Sequence, residues 1–154
     1  MAWHLAQINV GRLIAPAHDP RIADFVNALD RINALADASP GFVWRLQTDA
    51  GDATDVRISD DDQVIVNLSV WTSLETLSAY VFDSDHRDVL RRRREWFEPY
   101  GSASYALWWV PAEHVPSVDE AVERLDALDR AGPGPFAFTF QQAFPPPEGT
   151  GSLP

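Results

Sequence analysis

His86 and Arg93 stand seven residues apart in the stretch HRDVLRRRREWF, residues 86–97. On a helix advancing about 100° per residue that spacing is two turns, which puts both within the apolar arc of Val89, Leu90, Trp96 and Phe97. Imidazole titrates near neutral pH and can take or give a proton. A guanidinium on an apolar face must snorkel to water, find a carboxylate or meet an anionic ligand, and its fork suits a carboxylate or enolate oxygen. Three readings of His86 stand open: a general base or substrate contact, a buried histidine bonded to backbone at a helix start, and a haem or metal ligand. No second ligand lies at metal-binding spacing around it, so a metal site has little support. The other arginines belong to a solvated surface. Arg91 and Arg92 have Asp88 at i−3 and i−4, Arg94 has Glu98 at i+4, and each pair contributes only about a few tenths of a kcal/mol.

The second group of chemically capable residues comes from strand-like segments. In VIVNLSVW (64–71) alternation puts Val64, Val66, Leu68 and Val70 on one face and Ile65, Asn67, Ser69 and Trp71 on the other. In HLAQINV (4–10), Gln7 and Asn9 share a face opposite Ala6, Ile8 and Val10. The aliphatic face is expected to meet the helices. The mixed face, with its amides, hydroxyl and indole, suits a pocket between two packed sheets. Asn33 sits on the apolar face of the first predicted helix, where a buried amide more often bonds backbone than a ligand. Trp44, Trp108 and Trp109 read first as packing, and Trp44 is retained beside Gln7, Asn9, Ser69 and Tyr80 as a substrate contact.

The elements that must position these residues follow from caps and periodicity. Asp19 and Pro20 open a helix carrying Ile22, Phe25, Val26, Leu29, Ile32 and Ala36 at helical spacing until Ser39–Pro40–Gly41. GFVWRLQ (41–47) is a second strand, the acidic stretch 48–62 a hairpin loop, and VIVNLSVW a third strand. Thr72 with Glu75 makes a capping box for the next helix, and a second helical piece runs through the arginines to Phe97. ASYALWWVP (103–111) is a fourth strand. Ser117 with Glu120 opens a last helix that Gly132 ends, and FAFTF (136–140) packs back on the body. The order β-α-β-β-α-β with a C-terminal helical extension is the ferredoxin-like pattern of an α+β protein. One domain is expected over 1–143, with a Pro/Gly-rich tail over 144–154.

Composition narrows the function. The 154 residues suffice for one domain, and a net charge of −11 argues against nucleic acid. There is no cysteine, which removes thiolate chemistry, and every one of the 12 basic residues is arginine, which removes a lysine Schiff base. No apolar run reaches membrane-spanning length and no signal-peptide pattern opens the chain, so a cytoplasmic protein is expected. Asp60, Asp61 and Asp62 lack the glycine and terminal glutamate of a calcium loop.

Taken together, HLAQINVGRL, NALADASPGFVWRLQ, VNLSVWTSLETLSAYVF, SDHRDVLRRRREWF and ALWWVPAEHVPSVDEA resemble an uncharacterised bacterial domain family over roughly residues 3–140. That family is placed in the dimeric α/β-barrel superfamily, with the antibiotic biosynthesis monooxygenase domains. The resemblance implies a ferredoxin-like protomer whose sheet closes a barrel with a second copy, a homodimer through sheet faces. It also implies a correspondence with cofactor-free quinone-forming oxygenases, in which an asparagine and a tryptophan four residues later face the pocket. Asn67 and Trp71 have that spacing, and Asn9 is the counterpart of a first-strand asparagine. The family pattern places a phenol shortly after the tryptophan, whereas here Leu77 stands at the nearest comparable turn and Tyr80 comes later. The expectation is therefore a small-molecule enzyme using no cofactor, which oxygenates an aromatic or polyketide-like substrate. His86, Asn67, Trp71 and Arg93 are its expected catalytic residues. The alternatives are a non-catalytic binding or accessory homodimer and a haem-binding barrel.

Overall fold

A computed structural model describes residues 2–16, 18–47, 61, 63–83, 86–98 and 104–147. The elements are β1 (Trp3–Leu13), α1 (Ala23–Ala38), β2 (Phe42–Arg45), β3 (Val64–Trp71), α2 (Leu74–Asp83), α3 (His86–Arg91), α4 (Arg93–Trp96), β4 (Phe97–Glu98), β5 (Tyr105–Pro111) and α5 (Val118–Ala131). The expected hairpin loop over 48–62 lies outside the described residues, apart from Asp61. β1 is the central strand. It pairs antiparallel with β3 along one side and with β5 and the short β4 along the other, and β2 extends the sheet beyond β3. This is the ferredoxin-like α+β arrangement anticipated from the element order.

The pleat gives the sheet two unlike faces, and each has its own helices. Val66, Leu68 and Val70 join Ala6, Ile8, Val10, Trp108 and Val110 in one apolar cluster, closed by Ala121, Leu125 and Leu128 of α5. The opposite face, with Gln7, Asn9, Asn67 and Trp71, looks toward α1 and α2. That reverses the expected assignment. The first two helices cover the amide face, the one expected to meet a second copy, and the aliphatic face expected to meet them is filled by α5. The physical reason is apolar area: a row of buried valines and leucines across three strands requires an apolar lid, and α5 supplies one along its own stripe.

Local signals hold with small shifts. Asp19 Oδ1 accepts from the Arg21 N–H at 2.8 Å and Pro20 opens a 3₁₀ turn that leads into α1. The cap of α2 is Ser73, not the expected Thr72 and Glu75. Its hydroxyl accepts from the Thr76 N–H at 3.1 Å, and the Thr76 hydroxyl accepts from the Ser73 N–H at 3.3 Å. Ser117 caps α5 through the Glu120 N–H at 3.1 Å, and Gly132 closes it at a φ of 77°. Phe138 is fully buried and exchanges backbone hydrogen bonds with Leu107 at 2.9 Å, so FAFTF does pack back on the sheet edge. Phe144, assigned to the tail from sequence, accepts from the Trp109 indole at 2.8 Å and packs near Phe138.

The arginine helix is broken. Arg92 adopts φ −92° and ψ 3° between α3 and α4, so residues 86–97 do not form one wheel. Arg92 binds Asp24 at 2.8 Å and Glu95 at 3.0 Å, rather than Asp88, and lies over the Trp96 ring. Arg91 keeps Asp88 at 3.7 Å, whereas Glu98 pairs with Arg12 instead of Arg94.

Truncating Leu125→Ala should lower stability by about 2–4 kcal/mol, because α5 has no other apolar stripe to offer the sheet. A urea midpoint unchanged from wild type would show that α5 does not close this core.

Candidate functional site

A cavity of about 390 Å³ lies between the amide face of the sheet and α1, α2, α3 and α4. Its floor is polar and its walls are apolar. Gln7 is only 7 % exposed, and its Nε2 donates to Asn67 Oδ1 at 2.6 Å and to Ser69 Oγ at 2.7 Å. Asn9 Nδ2 donates to Gln7 Oε1 at 3.0 Å and, at a longer 3.3 Å, to Asn67 Oδ1. The Trp71 indole donates to Ser69 Oγ at 2.9 Å. Register explains the cluster: Gln7 stands opposite Ser69, and Asn9 opposite Asn67, on antiparallel β1 and β3. Burial forces Gln7 and Ser69 to satisfy one another, while Asn9 and Asn67 remain exposed to the cavity.

One wall is a stack of rings. Tyr80 lies on Trp71 with centroids 4.9 Å apart and planes 28° from parallel, and Phe42 meets Trp71 edge-on at 5.5 Å. The Tyr80 hydroxyl donates to the Ile32 carbonyl at 3.2 Å, so the phenol is tied to α1. Burial pushes this phenol far above its usual range; the charge of Arg45 opposes the shift and that of Asp37 adds to it. Phe25, Leu29 and Ile32 of α1, with Leu77 and Val81 of α2, complete the apolar lining.

Two arginines border the cavity. Arg45 is held by Asp37, with Nε to Oδ1 at 2.8 Å. Arg93 is exposed and has no carboxylate or hydrogen-bond partner among the described residues. Among the described lining residues there is no Asp, Glu or His, so the fixed charges that border the space are positive.

The cavity thus gathers Gln7, Asn9, Asn67, Ser69, Trp71, Tyr80 and Arg93 from the sequence-derived set. One residue falls elsewhere. A bulge between Phe42 and Trp44 turns Trp44 to the opposite face, across from Val70, where it packs against the aliphatic cluster. The same bulge brings Arg45 across from Ser69 on the cavity face, a position that simple alternation does not give. His86 heads α3, and its side chain lies outside the described residues. The pocket does not lie between two sheets, because the helices that cover the amide face belong to the same chain. Asn33, expected to bond backbone in the core, lines the cavity without a hydrogen-bond partner among the described residues. Tyr105 and Phe140 were missed, since their place at the cavity depends on the C-terminal segment folding back: the Tyr105 hydroxyl accepts from the Phe140 N–H at 3.2 Å.

An antiparallel four-stranded core with helices over an amide-floored cavity defines a ferredoxin-like α+β protein with a small-molecule-sized internal space. The chain belongs to the family described as Domain of unknown function (DUF3291), whose model matches residues 4–152. No curated protein sequence matches it. Among solved structures the fold is similar to that of SnoaB, a cofactor-independent oxygenase from Streptomyces nogalater. There the identity is 18 %, the TM-score is 0.51, and the match covers 75 % of this chain and 100 % of that one. Rv0793 from Mycobacterium tuberculosis is similar at 16 % identity and a TM-score of 0.46, covering 74 % of this chain and 99 % of that one. No described helix is long and apolar enough to cross a membrane.

Because the fold raises the Tyr80 pKa, the stability this group contributes is fully present below the unfolded tyrosine value of about 10 and is lost as pH rises toward the folded value. Wild type should therefore lose stability above about pH 10 more steeply than Tyr80→Phe. Thermal melts at a series of alkaline pH values check this, and parallel losses in the two proteins would contradict it.

Proposed function

We propose that this protein is a small-molecule enzyme that oxygenates a hydroxylated aromatic or polyketide-like substrate without a cofactor. The observation that carries the reading is the hydrogen-bonded amide row on the floor of an otherwise apolar, ring-walled cavity. An apolar ligand site needs few polar groups, and those present decide how the ligand is oriented. Here the exposed amide of Asn67, with its Nδ2 free, is suited to donate to a phenolate or enolate oxygen, Asn9 stands beside it, and Gln7, itself bonded to Ser69, keeps both in position.

In this reaction the ionised substrate supplies an electron to O₂, and the two radicals combine at a ring carbon to form a peroxide. Loss of water then leaves a carbonyl: a ring CH₂ tautomer and O₂ become C=O and H₂O. Positively charged Arg93 and Arg45 favour the ionised substrate by lowering the energy of the anion. Proton removal falls to a water held by the amides or to His86 at the head of α3. Trp71 and Tyr80 act as a flat wall for the ring system. Tyr80 is held neutral by its burial and its bond to Ile32, so it serves as a wall and not as a base. The likeness to a cofactor-independent oxygenase in fold supports the reading only at the level of architecture.

Oxygen electrode measurements with a panel of polycyclic hydroxyarenes should show uptake coupled to quinone absorbance. Asn67→Ala should lower kcat/KM by roughly 10²-fold, by removing an amide that contacts the developing anion. Uptake unaffected by both Asn67→Ala and His86→Ala removes this mechanism. A homodimer and a cytoplasmic location belong to the same reading. Sedimentation at the mass of one protomer overturns that part.

A further inference from the structure

Asn9 and Asn67 face one another across β1 and β3, and both are wired to the same buried carboxamide. Gln7 has one donor end and one acceptor end. Its Nε2 engages Asn67 Oδ1, which leaves Asn67 Nδ2 without a protein partner among the described residues. Its Oε1 accepts from Asn9 Nδ2, which leaves Asn9 Oδ1 likewise free. Both asparagines are exposed to the cavity, so the floor presents one donor beside one acceptor. Turning all three amides over together only exchanges which asparagine donates, because each contact must pair an N–H with an oxygen. The opposite polarity of the two free atoms therefore follows from the glutamine link, and the longer direct Asn9–Asn67 bond at 3.3 Å uses the same ends and agrees with it.

We propose that Gln7 is a positioning residue that sets substrate specificity. Through it the cavity selects the monoanion of a dihydroxyarene whose two oxygens are separated by one ring carbon. The ionised oxygen accepts from the amide N–H and the neutral hydroxyl donates to the amide oxygen. The 1,3 relation suits side chains on facing residues of adjacent strands, roughly 5 Å apart at the backbone. Hydroxyls on adjacent carbons would hydrogen-bond to each other instead. The anion is favoured because Arg93 borders the cavity without a carboxylate partner among the described residues. The aromatic frame is favoured by the stacked Trp71 and Tyr80. This inference rests on reading the cavity as the functional site, and it names what that site selects.

Binding can be read by tryptophan fluorescence in oxygen-free buffer, using 1,3-dihydroxynaphthalene, its dimethyl ether and 2,3-dihydroxynaphthalene. Wild type should bind the 1,3-diol about tenfold tighter than either comparison compound, with affinity rising as pH passes the diol's first ionisation. Gln7→Leu removes the two short bonds that orient the asparagines, leaving only the long one between them at 3.3 Å, and should bring the preference to within about twofold. Gln7→Glu offers only acceptors, so both asparagines turn their nitrogens to it and their oxygens to the cavity. Its affinity should then fall as the diol ionises, the reverse of wild type; the loss of preference between the 1,3- and 2,3-diols in Gln7→Leu, isomers of equal size and charge, is the readout that a merely structural glutamine would not move. Equal binding of diol and dimethyl ether by wild type overturns the proposal, as does wild-type pH dependence in Gln7→Glu. Selective binding without oxygen consumption removes the oxygenase reading and leaves this one standing.

Discussion

A carboxamide buried on the central strand of a sheet leaves little freedom to its neighbours. Gln7 is flanked by apolar residues on its own strand and has almost no contact with solvent. Each of its polar atoms would carry a desolvation cost of about 1–3 kcal/mol if left unpaired. Ser69 and Asn67 on β3 and Asn9 on β1 meet that demand, and Ser69 in turn fixes the indole of Trp71. The register of β1 with β3, the orientation of two asparagines and the position of the ring wall are thus one linked arrangement. Aliphatic residues in the same row would pack as well but would leave a greasy cavity with no directional contacts.

The other face of the sheet obeys a simpler constraint. Its valines and leucines need only to be covered, and α5 does so with Ala121, Leu125 and Leu128. The division of labour is physical. An apolar face accepts any complementary apolar stripe, whereas a polar row tolerates only partners of matching donor and acceptor sense. A chain that fills its aliphatic face with its own helix keeps the amide face for the cavity beneath α1 and α2.

Much of this is legible in the sequence. Strand alternation in VIVNLSVW and HLAQINV separates the two faces residue by residue, because a strand has a period of two that nothing distant can alter. The caps at Asp19 and Ser117 act within three residues and hold for the same reason. Interactions that turn on a single backbone irregularity were not legible. The bulge between Phe42 and Trp44 sends the indole to one face and Arg45 to the other, and the break at Arg92 ends a helical wheel drawn through Arg93.

Chemistry of the residue set was therefore written in local sequence: amides, a hydroxyl and an indole on one strand face, and an arginine unneeded by the core. Which helices cover that face could come only from the tertiary structure. α1, α2 and α5 all carry apolar stripes that could serve either side of the sheet, and periodicity says nothing about which side they take. Long-range packing placed α5 on the aliphatic side and drew Tyr80 onto Trp71, across a separation no local motif spans. It also joined Gln7 to Asn67, 60 residues away, and that contact gives two ordinary asparagines opposite polarities.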